Sequence, residues 1–146
     1  MTVTRMDNVL IVVEDLDTVV DFFLELGLEL DGRSKAEGRW VERVIGIDDV
    51  RQDVAMLRTP DGQRAVELCQ IHNPKPTRYE PTDAPANTLG YRRVMFAVDD
   101  VDATVARLEA IGGELVGEIV DFEDVYRLCY LRGPEGIVVG LAEELG

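Results

Sequence analysis

The sequence has no long apolar run and no leader-like start. No stretch approaches the roughly 18 consecutive apolar residues that a bilayer-spanning helix needs. The N-terminus, MTVTRMDNV, lacks the basic-then-apolar layout of a signal peptide. We therefore predict a cytoplasmic protein that has no membrane partner.

Basic residues are scarce relative to acidic ones. The chain of 146 residues has 15 Lys and Arg against 29 Asp and Glu, which gives a formal net charge of -14. Such a charge repels phosphate backbones, so we expect no nucleic acid partner. The acidic residues are scattered among apolar ones, a pattern typical of a solvated surface.

Cysteine is rare as well. The chain has two, Cys69 and Cys129, and both lie inside apolar, strand-like runs without CxxC spacing. This placement predicts small buried side chains and argues against a disulfide or a zinc site.

What the sequence does contain is an internal repeat. Shifted by 85 residues, positions 8–32 align with 93–117 without a gap, and nine of the 25 positions are identical. A second echo, TPDG at 59–62 against GPEG at 133–136, shows that each copy continues past its first helix. Because a chain of this length forms about one domain, we predict a single domain over 1–146 that is built from two modules.

Each copy predicts the same order of elements. An apolar strand, at 8–13 or 93–98, precedes an acidic pair suited to a helix N-terminus, and apolar residues then recur at helical spacing up to Gly27 or Gly112. PDG and PEG turns join the last two strands of each copy as hairpins. The remaining strands are expected around 28–31, 52–58 and 65–71 in the first copy and around 114–120, 126–132 and 137–142 in the second.

The predicted fold class is therefore α+β, with two tandem βαβββ modules whose curved sheets enclose one cavity. One module cannot cover its apolar faces alone, so the modules should pack together. Module one spans 5–72, a proline-rich crossing segment without regular structure spans 73–89, and module two spans 90–145. Residues 37–46 should form a short helix over the sheet, in which the large ring of Trp40 favours a core position over a ligand contact.

This duplicated pattern, with strand openings DNVLIVVEDL and RVMFAVDDV and hairpins at TPDG and GPEG, resembles the vicinal-oxygen-chelate superfamily. That group includes glyoxalase-type lyases, extradiol dioxygenases, acyl-CoA epimerases, and fosfomycin- and bleomycin-resistance proteins. The resemblance covers nearly the whole chain and implies the fold. It does not imply one reaction, because the fold hosts many chemistries.

The resemblance also implies where a metal would bind. In members that hold a divalent metal, four strands supply one ligand each, and the motifs place these positions at Asn8, Glu67, Arg93 and Gly140. Only Glu67 is a good ligand. Asn8 offers a weak carbonyl oxygen, Arg93 is a permanent cation, and Gly140 has no side chain. We therefore expect no cofactor, and a divalent metal is disfavoured.

Two nearby residues are predicted not to rescue that site. Strand alternation places His72, the single histidine, on the sheet face opposite Glu67. Glu143 likewise has the opposite parity to Gly140, so only a bulge would bring it to the same face.

The same alternation predicts an apolar cup with three polar groups. A lining of this kind suits a small organic molecule. The alternative is a filled core in which Glu67 and Arg93 form a structural ion pair. The residues expected to face the cup are Asn8, Leu10, Val12, Glu67, Cys69, Ile71, Arg93, Met95, Ala97, Val138, Gly140 and Ala142.

Two classes of function stay open. The first is a metal-free small-molecule-binding protein. The second is a lyase, an isomerase or epimerase, or a dioxygenase of the same superfamily, with Glu67 as metal ligand or general base. We also expect a homodimer, because each curved sheet leaves an edge that needs covering. The residues assigned to ligand binding are Asn8, Leu10, Trp40, Glu67, Arg93, Met95 and Tyr126, and Glu67 is the catalytic candidate.

Overall fold

Two mixed sheets, each carrying one long helix, make up the fold. The structure, a computed structural model, describes residues 2–146. It separates into two units, Met1–Thr77 and Arg78–Gly146, and the boundary lies inside the predicted crossing segment. Both units follow the predicted βαβββ order, so the α+β class is confirmed.

The first unit adds one short helix to that order. Its sheet runs β1-β4-β3-β2, in which β1 is parallel to β4 and the other neighbours are antiparallel. The elements are β1 (Val9–Val12), α1 (Leu16–Leu26), β2 (Glu29–Glu37), α2 (Arg39–Ile45), β3 (Arg51–Arg58) and β4 (Arg64–Asn73).

The second unit repeats the arrangement, but the strand at one edge of its sheet is divided into two short strands. Its sheet runs β5-β9-β8-β6, with β5 parallel to β9, and β7 also pairs with β8. A 3₁₀ turn at Pro134–Gly136 joins β8 to β9. The elements are β5 (Val94–Ala97), α3 (Val101–Glu109), β6 (Glu114–Leu115), β7 (Val120–Phe122), β8 (Tyr126–Arg132) and β9 (Val138–Glu144).

The predicted strand at 114–120 is wrong as a single element. Leu115 pairs with Leu131, but Val120 pairs with Leu128, so five residues advance on one strand while three advance on the other. The surplus residues leave the ladder, and the strand is split into β6 and β7.

An aspartate caps both long helices, as the acidic pairs predicted. The Asp15 Oδ1 accepts from the Thr18 N–H at 3.2 Å, and the Asp100 Oδ1 accepts from the Ala103 N–H at 2.9 Å. These bonds satisfy N–H groups that lack partners in the first helical turn. The bonds with Thr18, the side-chain one foremost, hold the pKa of Asp15 below its usual value.

The last strand of each unit supplies a second cap. The Leu16 N–H donates to Gln70 Oε1 at 3.0 Å, and the Val101 N–H donates to Glu143 Oε1 at 2.8 Å. Gln70 and Glu143 must therefore lie on the helix-covered face of their sheets. In both units the helix is therefore hydrogen-bonded to the last strand. Residues on that strand whose positions alternate with Gln70 or Glu143 lie on the other face.

The two helices end differently. Gly27, with a φ of 124°, caps α1 as predicted. The helix α3 is capped at Ala110, and Gly112, with a φ of 101°, lies beyond it. After α3 the chain leaves the helix before Gly112 and packs closely at Gly113. A Cβ on Gly113 would lie 2.9 Å from both the Leu108 carbonyl oxygen and a Leu131 methyl carbon.

The main cores lie between each helix and its sheet, and their central residues are at most 3% exposed. They include Val19, Val20, Phe23, Leu57, Val66 and Leu68 in the first unit and Val105, Leu108, Leu131, Val139 and Leu141 in the second. Apolar burial of this kind is the main stabilising contribution in each unit.

The short helix α2 confirms the helix predicted over 37–46. Its Val41 is buried in a small cluster with Ala36 and Val50. Trp40 is 67% exposed, so its expected core position is wrong. The adjacent residue takes the inward position because a helix turns about 100° per residue, which separates the directions of neighbouring side chains.

Residues 74–93 contain no helix or strand. Arg132 anchors part of it within the second unit. Its guanidinium donates to the carbonyl oxygens of Thr82 at 2.9 Å, Ala84 at 3.0 Å and Gly136 at 3.3 Å. Between residues 2 and 146, none of the helices is both long and apolar enough to cross a membrane.

Removing the strand-borne cap of α3 should destabilise the protein. Glu143→Ala leaves the Val101 N–H without its acceptor, so we expect a loss of about 1–2 kcal/mol in the free energy of unfolding, measured in urea. Glu143→Gln is the matched control, because Gln70 makes the equivalent bond in the first unit, and it should lose less than half as much. Equal losses would contradict a hydrogen-bonded cap.

The two hairpin glycines should respond unequally to alanine. Gly62 and Gly136 have φ values of 92° and 80°, so a side chain strains either position by about 1–2 kcal/mol. A Cβ on Gly62 would meet open space, whereas one on Gly136 would overlap the Thr82 carbonyl. We expect Gly136→Ala to lower the melting temperature at least twice as much as Gly62→Ala. Equal decreases would mean that Thr82 does not pack there.

Candidate functional site

The candidate residues of the first unit share the face opposite α1. Because Gln70 reaches α1, Glu67 on the same strand lies on the other face. Leu10 pairs with Glu67 and Val12 pairs with Cys69, so these side chains share that face as predicted. We call this the first open face.

Glu67 is half-buried among apolar neighbours on the first open face. Leu10 on β1 and Met56 on β3 are its register partners on either side. Across residues 2–146, its carboxylate has no hydrogen bond and no ion pair. The carboxylate is therefore available to a ligand.

The two cysteines are buried and free, as predicted. The Cys69 thiol donates to Gln52 Oε1, and burial, followed by the charges of Glu67 and Asp53, raises its pKa to about 11. Burial, with a smaller effect of the Asp102 charge, also raises the pKa of Cys129 to about 11. Both thiols stay protonated at neutral pH and are poor nucleophiles.

Three other ligand-binding candidates lie in the first unit. Asn8, just before β1, is half-buried and donates from Nδ2 to Asp7 Oδ2 at 3.2 Å. Leu10 is 49% exposed on the first open face. The exposed ring of Trp40 projects from α2 and is accessible to a ligand.

In the second unit, Arg93 is exposed and stacks on an aromatic ring. Its Cζ atom lies 4.1 Å from the centroid of the Tyr130 ring. Within the described chain, the Arg93 guanidinium has no hydrogen bond and no carboxylate partner. Arg92 differs, because its Nη2 donates to both carboxylate oxygens of Glu80, at 2.9 and 2.8 Å.

The glycine at the fourth family position is closely packed. Gly140 pairs with Met95 on β5 and with Tyr130 on β8. A Cβ at this position would lie 3.0 Å from Met95 Cγ, 3.1 Å from Met95 Sδ and 3.3 Å from Tyr130 Cδ1. Met95 and Tyr130 therefore occupy the space where a ligating side chain would begin.

Tyr130 is a candidate site residue that sequence reasoning missed. The signal was present, because counting back from the PEG turn gives the β8 residue opposite Gly140. Tyr126 has the same parity as Tyr130, so it also lies on the face opposite α3, the second open face. Arg127 lies on the helix-covered face, where it bonds Asp121 at 2.8 Å.

His72 and Glu143 both lie away from the open faces, as predicted. The His72 Nε2 is 2.9 Å from Asp53 Oδ2, on the same side of the sheet as Gln70. The hydrogen bonds from His72 and Lys35 lower the pKa of Asp53. Glu143 is engaged in capping α3.

The residues at the four family positions do not fit a divalent metal. Glu67 is a good donor, but Asn8 is a weak one, Arg93 is cationic and Gly140 has none. Nowhere in residues 2–146 do three or more His, Cys, Asp or Glu side chains cluster in a way that could hold a metal ion.

A pocket of about 370 Å³ lies elsewhere in the first unit, beside the start of α1. Its charged lining residues are paired with one another, Arg33 with Asp17 at 2.8 Å and Lys35 with Asp53 at 3.1 Å. It therefore offers a ligand no unpaired charge, and we do not assign a site to it.

Known proteins resemble the chain in sequence and in fold. A crystal structure of a glyoxalase family protein from Bacillus cereus is 52% identical, covers 100% of this chain and 97% of its own, and has a TM-score of 0.93. CFP32, a proposed glyoxylase of Mycobacterium tuberculosis and Mycobacterium bovis, is 44% identical over 45 residues. That match spans 31% of this chain and only 17% of CFP32.

A more distant structure shares the fold alone. It is an antibiotic binding protein from a Streptomyces species, 21% identical, with a TM-score of 0.57 over 99% of this chain and 98% of its own. The sequence profile of the Glyoxalase/Bleomycin resistance protein/Dioxygenase superfamily matches residues 5–141. The chain therefore belongs to the Glyoxalase/Bleomycin resistance protein/Dioxygenase superfamily, as its repeated strand motifs predicted.

Proposed function

We propose that the chain is a metal-free protein that binds a small organic molecule. The observation that carries this proposal is the donor set at the four family positions, where Glu67 is the one good ligand. The close packing of Met95 and Tyr130 around Gly140 supports it, because a ligating side chain there would displace them. Ligand binding as proposed does not require a metal ion.

The binding role is supported by what the open faces expose. In the first unit Asn8 supplies a polar group, and in the second unit Arg93 supplies one, each suited to an anionic or carbonyl group. Leu10, Trp40, Met95 and Tyr126 are between 38% and 67% exposed and supply apolar contacts. Binding sites for small organic molecules commonly combine apolar surface with a few polar groups. The Streptomyces antibiotic binding protein supports the view that this fold can serve binding.

A second candidate function is an enzyme of the same superfamily, a lyase, an isomerase or epimerase, or a dioxygenase. The observation that favours it is the Glu67 carboxylate, which is half-buried without a hydrogen-bonding partner in the described chain. Such a group can act as a general base on a proton next to a carbonyl, or as a metal ligand. The 52% identity to the Bacillus cereus glyoxalase family protein gives this candidate further support.

The proposal includes a cytoplasmic homodimer that binds no nucleic acid. The strands β1 and β5 are each at the end of their sheet, which leaves unpaired backbone groups along one side. An edge of this kind is commonly covered by another chain. The net charge of -14 opposes contact with nucleic acid.

Metal titration separates the metal-free binding protein from a metal-dependent enzyme. We expect zinc, nickel and manganese to bind the wild type with dissociation constants weaker than about 1 mM in calorimetry, because one carboxylate binds a divalent cation poorly. Glu67→Ala should leave the titration unchanged. Stoichiometric, tight binding that Glu67→Ala abolishes would place the metal-dependent enzyme ahead of the binding protein.

Native mass spectrometry tests the oligomeric state. The monomer has a mass of 16.3 kDa, and we expect the main species of the purified wild type to have twice that mass. The same spectrum would show a ligand retained from expression as a discrete added mass. A monomer that persists at high concentration would contradict the dimer.

A further inference from the structure

The second open face carries a cation with no counterion of its own. Arg93 lies just before β5 and stacks on Tyr130, and Tyr130 and Met95 both lie close to Gly140. We propose that the stacked Arg93 and Tyr130 pair recognises a planar organic monoanion, a carboxylate attached to a flat apolar or aromatic body. This inference rests on the proposed binding function and names the class of ligand.

Arg93 is distinguished by its lack of partners. Within residues 78–146 every other arginine has a hydrogen bond, an ion pair or another interaction with a partner. Arg92 is held by Glu80, Arg127 by Asp102, and Arg132 by backbone carbonyls. Arg93 has no hydrogen bond within the described residues, so all of its N–H donors are free to bind a ligand. A guanidinium carries five such donors in its own plane, and the fork they form matches a carboxylate.

Stacking on Tyr130 prepares Arg93 for this role. A ring beneath the guanidinium restricts the side chain while the charge and the edge N–H groups stay available. Less conformational freedom is then lost when a carboxylate binds. Lysine would not reproduce this arrangement, because an ammonium is a point charge without a planar fork.

The charge count favours a monoanion over a phosphate or another polyanion. Arg93 is the one unpaired guanidinium of its unit, so it can neutralise a single negative charge. The chain as a whole carries a net charge of -14. For a second negative charge on the ligand, the repulsion by this net charge is larger than the attraction by Arg93.

The neighbouring side chains favour a flat apolar body. Met95 is 45% exposed, and Tyr126 and Phe122, which pair across β8 and β7, are 38% and 53% exposed. Aromatic rings and a thioether provide favourable surfaces for a planar ring.

The test uses 2-naphthoate and its neutral analogue 2-naphthamide, titrated into the full chain at 0.15 M salt. We expect the carboxylate to bind about 10- to 100-fold more tightly than the amide, which is the ratio that charged hydrogen bonds supply. Arg93→Met should remove this preference, because the carboxylate loses a charged hydrogen-bond donor and so loses much more affinity than the amide does. Arg93→Lys should recover only part of it.

Two further variants act as controls. Tyr130→Phe keeps the ring and should retain the preference, whereas Tyr130→Leu loses the stack and should weaken naphthoate binding about threefold or more. Lys75→Met removes one exposed positive charge from the first unit and should have no effect. Because Arg93 is exposed, its variants should keep the melting temperature of the wild type.

Equal affinity for the two probes, or an unchanged preference in Arg93→Met, would overturn this inference and leave the proposed binding function standing. Failure of both probes to bind the wild type at millimolar concentration would also overturn it. Failure of the proposed function itself is seen separately, as stoichiometric metal binding that depends on Glu67.

Discussion

A sheet has two faces, and each sheet of this protein has one long helix to cover them. That helix buries one face and leaves the other without a long helix over it. The hydrogen bonds from Leu16 to Gln70 and from Val101 to Glu143 settle which face is covered. Since side chains alternate along a strand, every other position on β4 and β9 is then assigned to one face or the other.

The two copies of the module keep the same helix-covered face and differ on the open one. A polar side chain caps the helix from the last strand in both copies. Three residues earlier on that strand, the first copy has Glu67 and the second has Gly140. A change on the open face leaves the helix packing intact, so the module can vary in chemistry while its fold stays the same.

The chemistry of the open faces follows from those differences. The first open face presents Glu67, a carboxylate among apolar neighbours. The second open face presents Arg93, whose positive charge lies over Tyr130, and it has no side chain at Gly140. A divalent metal needs several anionic or neutral donors, whereas an organic ligand needs shape, apolar area and a few polar contacts. The residues present meet the second requirement better than the first.

The sequence by itself determined the module, its repetition, the helix starts and the faces of the residues on β4 and β9, because periodicity and capping depend on neighbours along the chain. Its alternation also placed Glu67 correctly relative to Leu10. Only the tertiary structure decided that Trp40 is exposed, that the strand at 114–120 breaks in two, and that Arg93 stacks on Tyr130. These outcomes depend on strand register and on packing between residues far apart in sequence. The spacing of apolar residues along the chain, with period two in strands and 3.6 in helices, gives information on neither.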